Sequence, residues 1–447
     1  MPKTLAQWLQ WLESLHPSKI DLGLQRIVQV AARLLPDNFF ANAKQSLPFK
    51  IIVVGGTNGK GSSLAFLQSI LIASGYKTGT YTSPHFLSFN ERIQVNSSSI
   101  GDAQLCAVFE QIEAMRGDIS LTYFEYATLA ALYYFVQQKC DVIVMEVGLG
   151  GRLDAVNILD SDVSLVTTVD LDHQNWLGDN IEAIAYEKAG IFRNKHLALY
   201  GDENTPSSLV KHAKEIDCSL LQYGKDYSYN KQSQHWTIYP NRCFDNNSDY
   251  SLGPLIFPLL HGEIQFKNAC NAIVLLNNLQ QQLPKITLQT INKGIEKASI
   301  EGRYQCLSKS KNIDVFVDVA HNPQAAKILN TILSEPAYTG QTHAIFAILD
   351  DKDIRGVVQQ LINSFDAWHI IRLDSARATT QQKIKDIIQS ENKNIPVSCY
   401  NEFSVALKTV MEQNNSMVSK DLTGVKNRVI IFGSFLTVAQ AMAFFKE

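Results

Sequence analysis

The sequence predicts an α/β protein made of two domains, each built on a mostly parallel β-sheet. Short runs of apolar, β-branched residues alternate with helical patterns, which is typical of strands covered by helices on both faces. The alternation is interrupted in the middle of the chain and restarts after about residue 298. At 447 residues the chain is also longer than one hydrophobic core usually supports.

The first predicted domain comprises residues 1–297 and begins with a helical pattern over residues 4–35 that is interrupted at His16-Pro17. Strands and helices then alternate. The predicted strands are 51–54, 78–81, 142–146 and 163–169, and the predicted helices are 62–73, 103–115, 123–138 and 181–190. Residues 219–262 are rich in Tyr, Asn, Ser and Gly and predict a small antiparallel insertion, after which a helix is predicted from about residue 266.

The second predicted domain comprises residues 298–447 and restarts the strand–helix alternation. Its length of roughly 150 residues is typical of one domain. The predicted strands are 315–319, 344–349, 367–373 and 429–432. Residues 411–428 contain Asn, Lys and Gly and predict a polar loop.

The composition indicates a cytoplasmic protein that acts on small molecules. The chain is 45% hydrophobic and 19% charged with a net charge of −3, so neither a nucleic acid nor an anionic membrane is an expected partner. The seven Cys are odd in number and scattered, which argues against a disulfide framework and favours a reducing compartment, and the lack of a C-x-x-C pair argues against a thiolate zinc site. The N-terminus lacks the apolar core of a signal peptide, and no apolar run is long enough for a membrane span.

A phosphate-binding loop is predicted where the first strand meets the first long helix, in IIVVGGTNGKGSS. Glycines allow backbone N–H groups to close on phosphates, and a lysine adds a point charge. The candidate residues are Thr57, Asn58, Gly59, Lys60, Gly61 and Ser62. A plain tight turn is the alternative, and Gly61 stands where the common motif has a magnesium-binding hydroxyl. Metal ligands must then come from other strand ends.

Ser83, Glu146 and His173 follow three further predicted strands and are candidate metal ligands. The carboxyl ends of parallel strands meet at one edge of a sheet, where ligands bind. A carboxylate that ends an apolar strand is costly unless it is paired or binds metal. These ligands suit Mg²⁺ only if phosphate and water complete its shell, and the histidine nitrogen leaves Mn²⁺ and Zn²⁺ open. The alternatives are that Ser83 is only a turn residue and that His173 is a surface or core histidine whose hydrogen bonds are met within the protein.

For several other polar residues, a purely structural role is a strong alternative to a role in binding or catalysis. Lys188 is typical of a surface lysine on a helix, and Glu125 stands three residues after Thr122 in a capping-box pattern. In FVDVAHNP, a strand enters a polar turn with Asp318 and His321. A strand-end carboxylate binds ribose hydroxyls in many sheets, but a structural Asx turn is an equal alternative.

Nine motifs occur in order and together resemble one family. They are IDLGLQR, GTNGKGS, TSPH, FNERI, VGLGGRLDAVN, LDH, EKAGI, EGR and DVAHNP. They resemble the folylpolyglutamate synthase/dihydrofolate synthase family, relatives of the Mur ligases, over about residues 18–435. The resemblance implies a P-loop NTPase-like domain of the Mur ligase central-domain type, followed by a C-terminal Rossmann-like domain for glutamate ligation. GTNGKGS is shared with Mur enzymes, whereas IDLGL, TSPH and GLGGRLDA are specific to the folate branch.

The resemblance also implies roles for individual residues. It places ATP at residues 57–62 and at Asn268, Arg303 and Asp318, and two Mg²⁺ ions at Ser83, Glu146 and His173. It implies that Lys188 is carbamylated by CO₂ and that His321 is a second catalytic candidate. A monovalent cation is a further cofactor that the resemblance allows. The acceptor is expected beside Asp21, Leu22, Gly23, Thr122, Tyr123, Phe124, Glu125, Leu153, Asp154 and Ala155.

The implied reaction is the ATP-dependent addition of L-glutamate to 7,8-dihydropteroate and to reduced folates through an acyl phosphate, releasing ADP and phosphate. The IDLGL segment favours the bifunctional bacterial type, with folylpolyglutamate synthase alone as the alternative, and we expect a monomer. A Mur-type ligase of peptidoglycan synthesis is a rival, but only about 50 residues precede the phosphate loop, too few for its N-terminal domain. A GTPase module would need a base-reading motif such as N-K-x-D, and the sequence has none in a suitable place. The complete metal set argues against a non-catalytic binding protein.

Overall fold

The computed structural model describes residues 4–18, 20–35, 49–240, 251–335, 338–418 and 426–446. The chain folds as two compact units. Unit 1 comprises Met1–Leu259 and Gln265–Ser299, and unit 2 comprises Leu260–Ile264 and Ile300–Glu447. Within the described ranges, no helix has the length and apolar character that a bilayer crossing requires.

Unit 1 contains most of the secondary structure. Its helices are α1 (Leu5–Leu15), α2 (Gln25–Leu34), α3 (Lys60–Ala73), α4 (Asp102–Arg116), α5 (Tyr123–Gln137), α6 (Gln174–Leu177), α7 (Ile181–Ala189), α8 (Ser207–Glu215), α9 (Ile264–Asn278) and α10 (Leu288–Lys297). Its strands are β1 (Lys50–Gly55), β2 (Thr78–Tyr81), β3 (Ile93–Val95), β4 (Ser98–Ser99), β5 (Val142–Glu146), β6 (Val163–Val166), β7 (Leu197–Tyr200), β8 (Ser219–Gln222), β9 (Tyr227–Lys231), β10 (Trp236–Pro240) and β11 (Leu252–Leu255).

The main sheet of unit 1 has the strand order β4-β3-β2-β5-β1-β6-β7-β8. The six strands from β2 to β8 in that order are parallel, and β3 and β4 add an antiparallel edge. The central strands β1, β5 and β6 are buried almost throughout, because helices cover both faces of a parallel sheet. Parallel pairing of β2, β5, β1 and β6 places their carboxyl ends at one edge. The polar residues predicted to bind ligands follow these ends.

Unit 2 has a second sheet, of order β12-β13-β17-β14-β15-β16. It is parallel except for the edge strand β12. Its strands are β12 (Gln305–Lys309), β13 (Ile313–Asp318), β14 (Thr342–Phe346), β15 (Ala367–Ile371), β16 (Val397–Tyr400) and β17 (Asn427–Phe432). Its helices are α11 (Pro323–Leu333), α12 (Ile354–Leu361), α13 (Gln381–Glu391), α14 (Phe403–Val418) and α15 (Phe435–Lys446).

The predicted strands 78–81 and 142–146 are confirmed with their bounds, and the other central strands are confirmed with small shifts. Three predictions were wrong. The strand predicted to reach residue 169 ends at Val166, since the next residues turn to hold the phosphate loop. Residues 219–222 form β8 of the main sheet, and the three-stranded antiparallel sheet contains only β9, β10 and β11.

The polar loop predicted over residues 411–428 is the third wrong prediction. Residues 411–418 continue α14, and Asn427 begins β17. Polar residues are compatible with a helix whose outer face is solvated, so composition alone misled the prediction. Residues 419–425 lie outside the described residues.

Candidate active site

The phosphate loop of unit 1 connects β1 to the N-terminus of α3. Gly59 caps α3 with a left-handed conformation at φ +86°, and Gly56 has φ +135°. L-residues with a side chain adopt such angles at a cost, which is why glycines stand there. Lys60 is the first residue of α3, and its Nζ donates to the carbonyl oxygens of Gly56 at 2.9 Å and Thr57 at 3.3 Å. The ammonium group therefore lies over the loop.

The residues that follow β6 hold this loop through hydrogen bonds. Thr167 Oγ1 donates to the Asn58 carbonyl at 2.6 Å, and the Asn58 N–H donates to Thr168 Oγ1 at 3.0 Å. The Thr57 N–H donates to the Thr168 carbonyl at 2.8 Å, and the Asp170 N–H donates to Thr57 Oγ1 at 3.0 Å. These bonds fix the backbone of the loop before any ligand binds.

Space around the loop is restricted at its glycines. A Cβ atom on Gly56 would lie 1.9 Å from Thr167 Oγ1, and one on Gly59 would lie 2.9 Å from Asn268 Oδ1. Asn268 is a buried residue of α9, and its Nδ2 donates to Gln265 Oε1 at 3.1 Å. The structure therefore places Asn268, predicted to bind ATP, directly against the phosphate loop.

Ser83 and Glu146 lie together at the ends of β2 and β5. The Ser83 N–H donates to Glu146 Oε2 at 3.3 Å, and Glu146 is buried although it carries a carboxylate. The loop after Ser83 is shaped by Glu91, which accepts backbone N–H bonds from Phe86, Leu87 and Ser88 at 2.6 to 2.9 Å. A buried carboxylate beside a serine hydroxyl is a hard oxygen set of the kind that Mg²⁺ prefers.

His173, the third predicted metal ligand, lies after β6 in a left-handed conformation at φ +53°. Its Nε2 is 3.9 Å from Asp172 Oδ2, and its side chain is partly exposed. Over the described ranges, no group of three or more His, Cys, Asp or Glu side chains is arranged to hold a metal ion. Of the three predicted metal ligands, Ser83 and Glu146 are in direct contact through the Ser83 N–H.

Lys188 is buried on α7, contrary to the expectation of a surface lysine. Burial, together with the nearby charge of Lys60 and against the opposing charges of Asp172 and Asp154, lowers the pKa of its ammonium group to about 7. These four charged side chains therefore share one electrostatic environment beside the phosphate loop. At neutral pH a large fraction of Lys188 is an uncharged, nucleophilic amine.

The GLGGRLDA loop after β5 packs tightly against α7. A Cβ atom on Gly151 would lie 2.7 Å from the Glu187 carbonyl oxygen, and the Arg152 N–H donates to that oxygen at 2.7 Å. The Asp154 carboxylate accepts backbone N–H bonds from Leu149 at 2.8 Å and Val156 at 3.0 Å. Burial outweighs these bonds and the charge of Lys60, and the pKa of Asp154 is raised to about 6. Leu153 and Ala155 flank it in the same loop.

The other acceptor residues predicted in unit 1 lie on two segments. Thr122 and Glu125 form a capping box at the start of α5, with the Thr122 N–H donating to Glu125 Oε2 at 2.7 Å and the Glu125 N–H donating to Thr122 Oγ1 at 3.2 Å. Phe124 lies against Gly148, where a Cβ atom would be 2.5 Å from its ring. Asp21 is connected to Glu125 through Arg26. Residues 21–23 and 122–125 are therefore neighbours in space.

Unit 2 gathers Arg303, Asp318 and His321 at the end of β13. Asp318 accepts N–H bonds from Tyr304 and Ala320 at 2.8 Å each, and burial raises its pKa while Arg303 opposes the rise. Nδ1 of His321 lies 2.7 Å from the Val319 carbonyl oxygen, which assigns the proton to Nδ1. Arg303 and His321 both lie beside the ring of Phe435, at 6.0 Å and 6.2 Å.

Family models and full-length relatives match this chain over most of its length. Residues 54–276 match the Mur ligase middle domain, and residues 302–435 match the Mur ligase, glutamate ligase domain. The chain is 36% identical to the dihydrofolate synthase/folylpolyglutamate synthase of Escherichia coli strain K12, over 98% of this chain and 94% of that relative. The chain belongs to the dihydrofolate synthase/folylpolyglutamate synthase family. Members of this family are ATP-dependent ligases that form amide bonds.

Other members of the dihydrofolate synthase/folylpolyglutamate synthase family extend the match. The Haemophilus influenzae enzyme of that name is 34% identical over 98% of this chain and 97% of its own. The solved structure of E. coli FolC in complex with DHPP and ADP superposes with a TM-score of 0.87 and 35% identity, covering 100% of this chain and 99% of that chain. The solved structure of a bifunctional family member with Mn, AMPPNP and L-glutamate bound superposes with a TM-score of 0.86 and 35% identity, covering 100% of this chain and 98% of that chain. The predicted fold class is confirmed.

Sequence reasoning on this family member assigned no role to two arginines that organise the candidate site. Arg26 bridges two acceptor segments, and Arg92 donates from Nε to His85 Nδ1 at 2.8 Å while facing the rings of Phe89 and Tyr123. Burial and the charge of Arg92, opposed by Glu91, lower the pKa of His85 to about 4. Both arginines stand inside quoted motifs, IDLGLQR and FNERI, so their positions in the motifs were the available signal.

Proposed function

We propose that this protein joins L-glutamate to 7,8-dihydropteroate and to reduced folates, with ATP as the energy source. The observation that carries the proposal is that unit 1 holds an ordered phosphate loop together with the three folate-branch motifs: Arg26 connects IDLGL to Glu125, and the TSPH serine contacts Glu146 just before the GLGGRLDA segment. Full-length identity to relatives named dihydrofolate synthase/folylpolyglutamate synthase supports both activities. The E. coli relative with DHPP and ADP, and the bifunctional relative with AMPPNP and L-glutamate, support the same substrate classes here.

The reaction begins with an acceptor carboxylate, which is a poor electrophile because it is anionic and would have to expel oxide. One carboxylate oxygen attacks the γ-phosphorus of ATP, the bond to the β–γ bridging oxygen breaks, and ADP leaves. The amine of L-glutamate then attacks the acyl carbon, loses a proton and expels phosphate, which carries away the acceptor oxygen. Such chemistry needs positioning and charge neutralisation more than a protein nucleophile.

The phosphate loop is suited both to position the phosphates of ATP and to neutralise their charge. Its backbone N–H groups and the N-terminus of α3 suit phosphate oxygens, and Lys60 brings a positive charge to the same place. Asn268 lies against Gly59 and would contact the nucleotide. By family resemblance, Arg303 and Asp318 of unit 2 contribute further ATP contacts, and His321 lies in the same cluster of that unit.

The residues at the ends of β2 and β5 fit a divalent cation, since Glu146 is a buried carboxylate that has the Ser83 backbone as a hydrogen-bond donor. We propose that Ser83, Glu146 and His173 hold two Mg²⁺ ions together with phosphate oxygens and water. Bound there, Mg²⁺ would neutralise developing charge on the phosphates. A monovalent cation is a further candidate ligand of the family.

Lys188 has the properties that carbamylation by CO₂ requires. Its burial keeps much of the amine neutral near pH 7, and only a neutral amine attacks CO₂. The product is a carbamate, formed as the amine nitrogen bonds to the CO₂ carbon and loses a proton. The negative charge of the carbamate would lie beside Lys60. Its oxygen atoms would be stronger metal ligands than the buried amine that they replace. We propose this modification as part of the active enzyme.

We further propose that residues 1–297 serve as the ATPase and folate-binding domain and that residues 298–447 serve as the glutamate ligase domain. The match of residues 302–435 to the Mur ligase, glutamate ligase domain supports the second assignment. The small net charge of −3 favours small-molecule partners over nucleic acids and anionic membranes. We propose a monomeric enzyme of the cytoplasm.

The test is phosphate release from MgATP and L-glutamate, with 7,8-dihydropteroate and tetrahydrofolate compared as acceptors. Release with both acceptors, each yielding the glutamylated product by mass spectrometry, is expected. Release with tetrahydrofolate alone would make this a dedicated folylpolyglutamate synthase, like the Lacticaseibacillus casei relative of that name that is 32% identical over 72% of this chain. Release with neither acceptor would overturn the proposal.

A further inference from the structure

Arg26 joins two segments of the chain that are both expected to contact the acceptor. Its Nη1–H donates to Asp21 Oδ2 and its Nη2–H donates to the Asp21 carbonyl oxygen, each at 2.7 Å. Its Nε–H donates to Glu125 Oε2 at 3.4 Å, and its Nη2 lies 3.3 Å from Glu125 Oε1. One guanidinium group therefore holds both the backbone and the side chain of Asp21 against the first turn of α5.

The buried end of this network depends on the arginine for its charge balance. The Glu125 side chain is 4% exposed, and its Oε2 already serves the capping box with Thr122. Its Oε1 is buried and accepts no hydrogen bond from the described part of the chain. Burial of a carboxylate is costly unless a counter-charge is close, and Arg26 is the cation that lies 3.3 Å away. Removal of the guanidinium would therefore disturb the start of α5 as well as Asp21.

The other end of the network is open. The Asp21 side chain is 41% exposed, with His16 Nε2 as a second neighbour 3.4 Å from Oδ2. Gly23 has φ +154°, and no atom lies within 4 Å of the position that its Cβ would occupy. The backbone at Gly23 thus borders free space, and Arg26 holds Asp21, two residues earlier. A ligand could approach this backbone closely.

We infer that Arg26 is a positioning residue for the acceptor. It fixes residues 21–23 against residues 122–125, so that both segments present one continuous surface to the ring system of the acceptor. The inference rests on the proposed function, because it takes the acceptor to bind beside these segments. A planar guanidinium fork meets both carboxylates and the Asp21 carbonyl at once, whereas a lysine ammonium is a single point of charge.

The test compares Arg26→Lys with the wild-type protein and with Arg33→Lys as a matched control. Arg33 lies on the same helix, α2, and its Nη1 donates to carbonyl oxygens of α4, those of Met115 at 3.1 Å and Arg116 at 3.4 Å. The readouts are the Kd for 7,8-dihydropteroate by equilibrium dialysis, the KM values for both acceptors, MgATP and L-glutamate, and the Tm.

Arg26→Lys should weaken dihydropteroate binding and raise both acceptor KM values by about tenfold, the usual effect of losing a hydrogen bond to a charged group. The KM for MgATP should stay unchanged in this variant, and Arg33→Lys should leave the Kd, all four KM values and the Tm at wild-type values. Asp21→Asn should also weaken acceptor binding, and Arg26→Lys should add little in the Asp21→Asn background because the two residues act as a unit.

Three outcomes would overturn the inference. Unchanged acceptor binding in folded Arg26→Lys would remove the positioning role while leaving the proposed function intact. A fall in Tm with equal rises in the KM for ATP and for the acceptors would show a purely structural role. A wild-type protein that binds neither acceptor would contradict the proposed function, and with it the premise on which the role of Arg26 depends.

Discussion

Lys60 and Lys188 illustrate how the surroundings of two lysines give them different chemistry. Lys60 lies over the phosphate loop with two carbonyl acceptors, and it is a ready charge for phosphate oxygens. Lys188 is buried, and burial lowers the pKa of its amine to about 7. The sequence alone favoured a surface position for Lys188, since burial depends on how α7 packs and not on the residue type.

Lys60→Ala should lower kcat/KM for ATP by about 10²-fold or more, because a preorganised positive charge at the phosphates is lost. Phosphate release at saturating acceptor and glutamate measures this effect. Lys285→Ala is a suitable control, since Lys285 faces the Tyr76 ring away from the loop. Normal turnover in Lys60→Ala would mean that the loop does not act on the phosphates.

Lys188→Ala should lose most activity, and formate or acetate should restore part of it. The small carboxylate would replace the carbamate that the missing lysine can no longer carry. Turnover with and without added carboxylate, in both wild type and variant, measures the rescue. The wild-type protein should in turn lose activity in CO₂-free buffer, and an absence of both effects would contradict carbamylation.

Lys188 should also make stability depend on pH. Its pKa is about 7 in the folded protein and about 10.4 when unfolded, so between these values the unfolded state binds the extra proton. The free energy of unfolding therefore rises with pH across this window, by up to about 1.4 kcal/mol per pH unit relative to Lys188→Met. Urea unfolding of both proteins in CO₂-free buffers measures the difference. Parallel pH profiles would show that Lys188 is not buried as an amine.

At the scale of the elements, the strands at the centre of each sheet were the easiest to predict. β2 and β5 match their predicted bounds because a short apolar run between turn residues has few other solutions. The end of β6 was missed because Thr167 and Thr168 leave the strand to bond the phosphate loop, and that contact spans more than a hundred residues of sequence. Strands β12 and β16 are partly exposed and lack a continuous apolar run.

The phosphate loop, as an element, should tolerate no side chain at Gly56. Gly56→Ala would force a Cβ atom to within 1.9 Å of Thr167 Oγ1 at a φ of +135°, so ATP binding should weaken at least tenfold. Gly75→Ala is the control: its φ is +77°, but no atom lies within 4 Å of the added Cβ. That variant should lose about 1 kcal/mol of stability and keep the wild-type KM for ATP. Equal KM values in the two variants would contradict the steric explanation.

At the scale of the whole molecule, the motif order and the alternation of strands and helices were enough to predict two α/β units. The resemblance also named the candidate site residues, and those of its motifs that follow β1, β2, β5 and β6 lie at strand ends that the fold brings to one edge of the main sheet of unit 1. What could not be predicted is which residues connect the motifs to one another. Arg26 meets Glu125 only because α2 packs against α5, and a pairing of residues 99 positions apart has no local sequence signal.

Ligand binding should stabilise the whole protein in a metal-dependent way. Saturating MgATP should raise the Tm, since a ligand at a hundred times its Kd adds about 2.7 kcal/mol to the folded state. EDTA should remove most of this shift, and so should Glu146→Gln, which replaces the buried carboxylate beside Ser83 by an amide. Differential scanning fluorimetry measures each shift. An ATP-induced shift that persists fully in EDTA would show that no divalent cation takes part.

The most direct measurement follows an oxygen atom through the reaction. 7,8-Dihydropteroate labelled with ¹⁸O in its carboxylate is incubated with MgATP and L-glutamate, and the released phosphate is examined by mass spectrometry. If the enzyme activates the acceptor as an acyl phosphate, each phosphate released from doubly labelled acceptor carries one ¹⁸O atom. Unlabelled phosphate accompanying amide formation would contradict that activation, and the mechanism assigned to the phosphate loop would have to be abandoned.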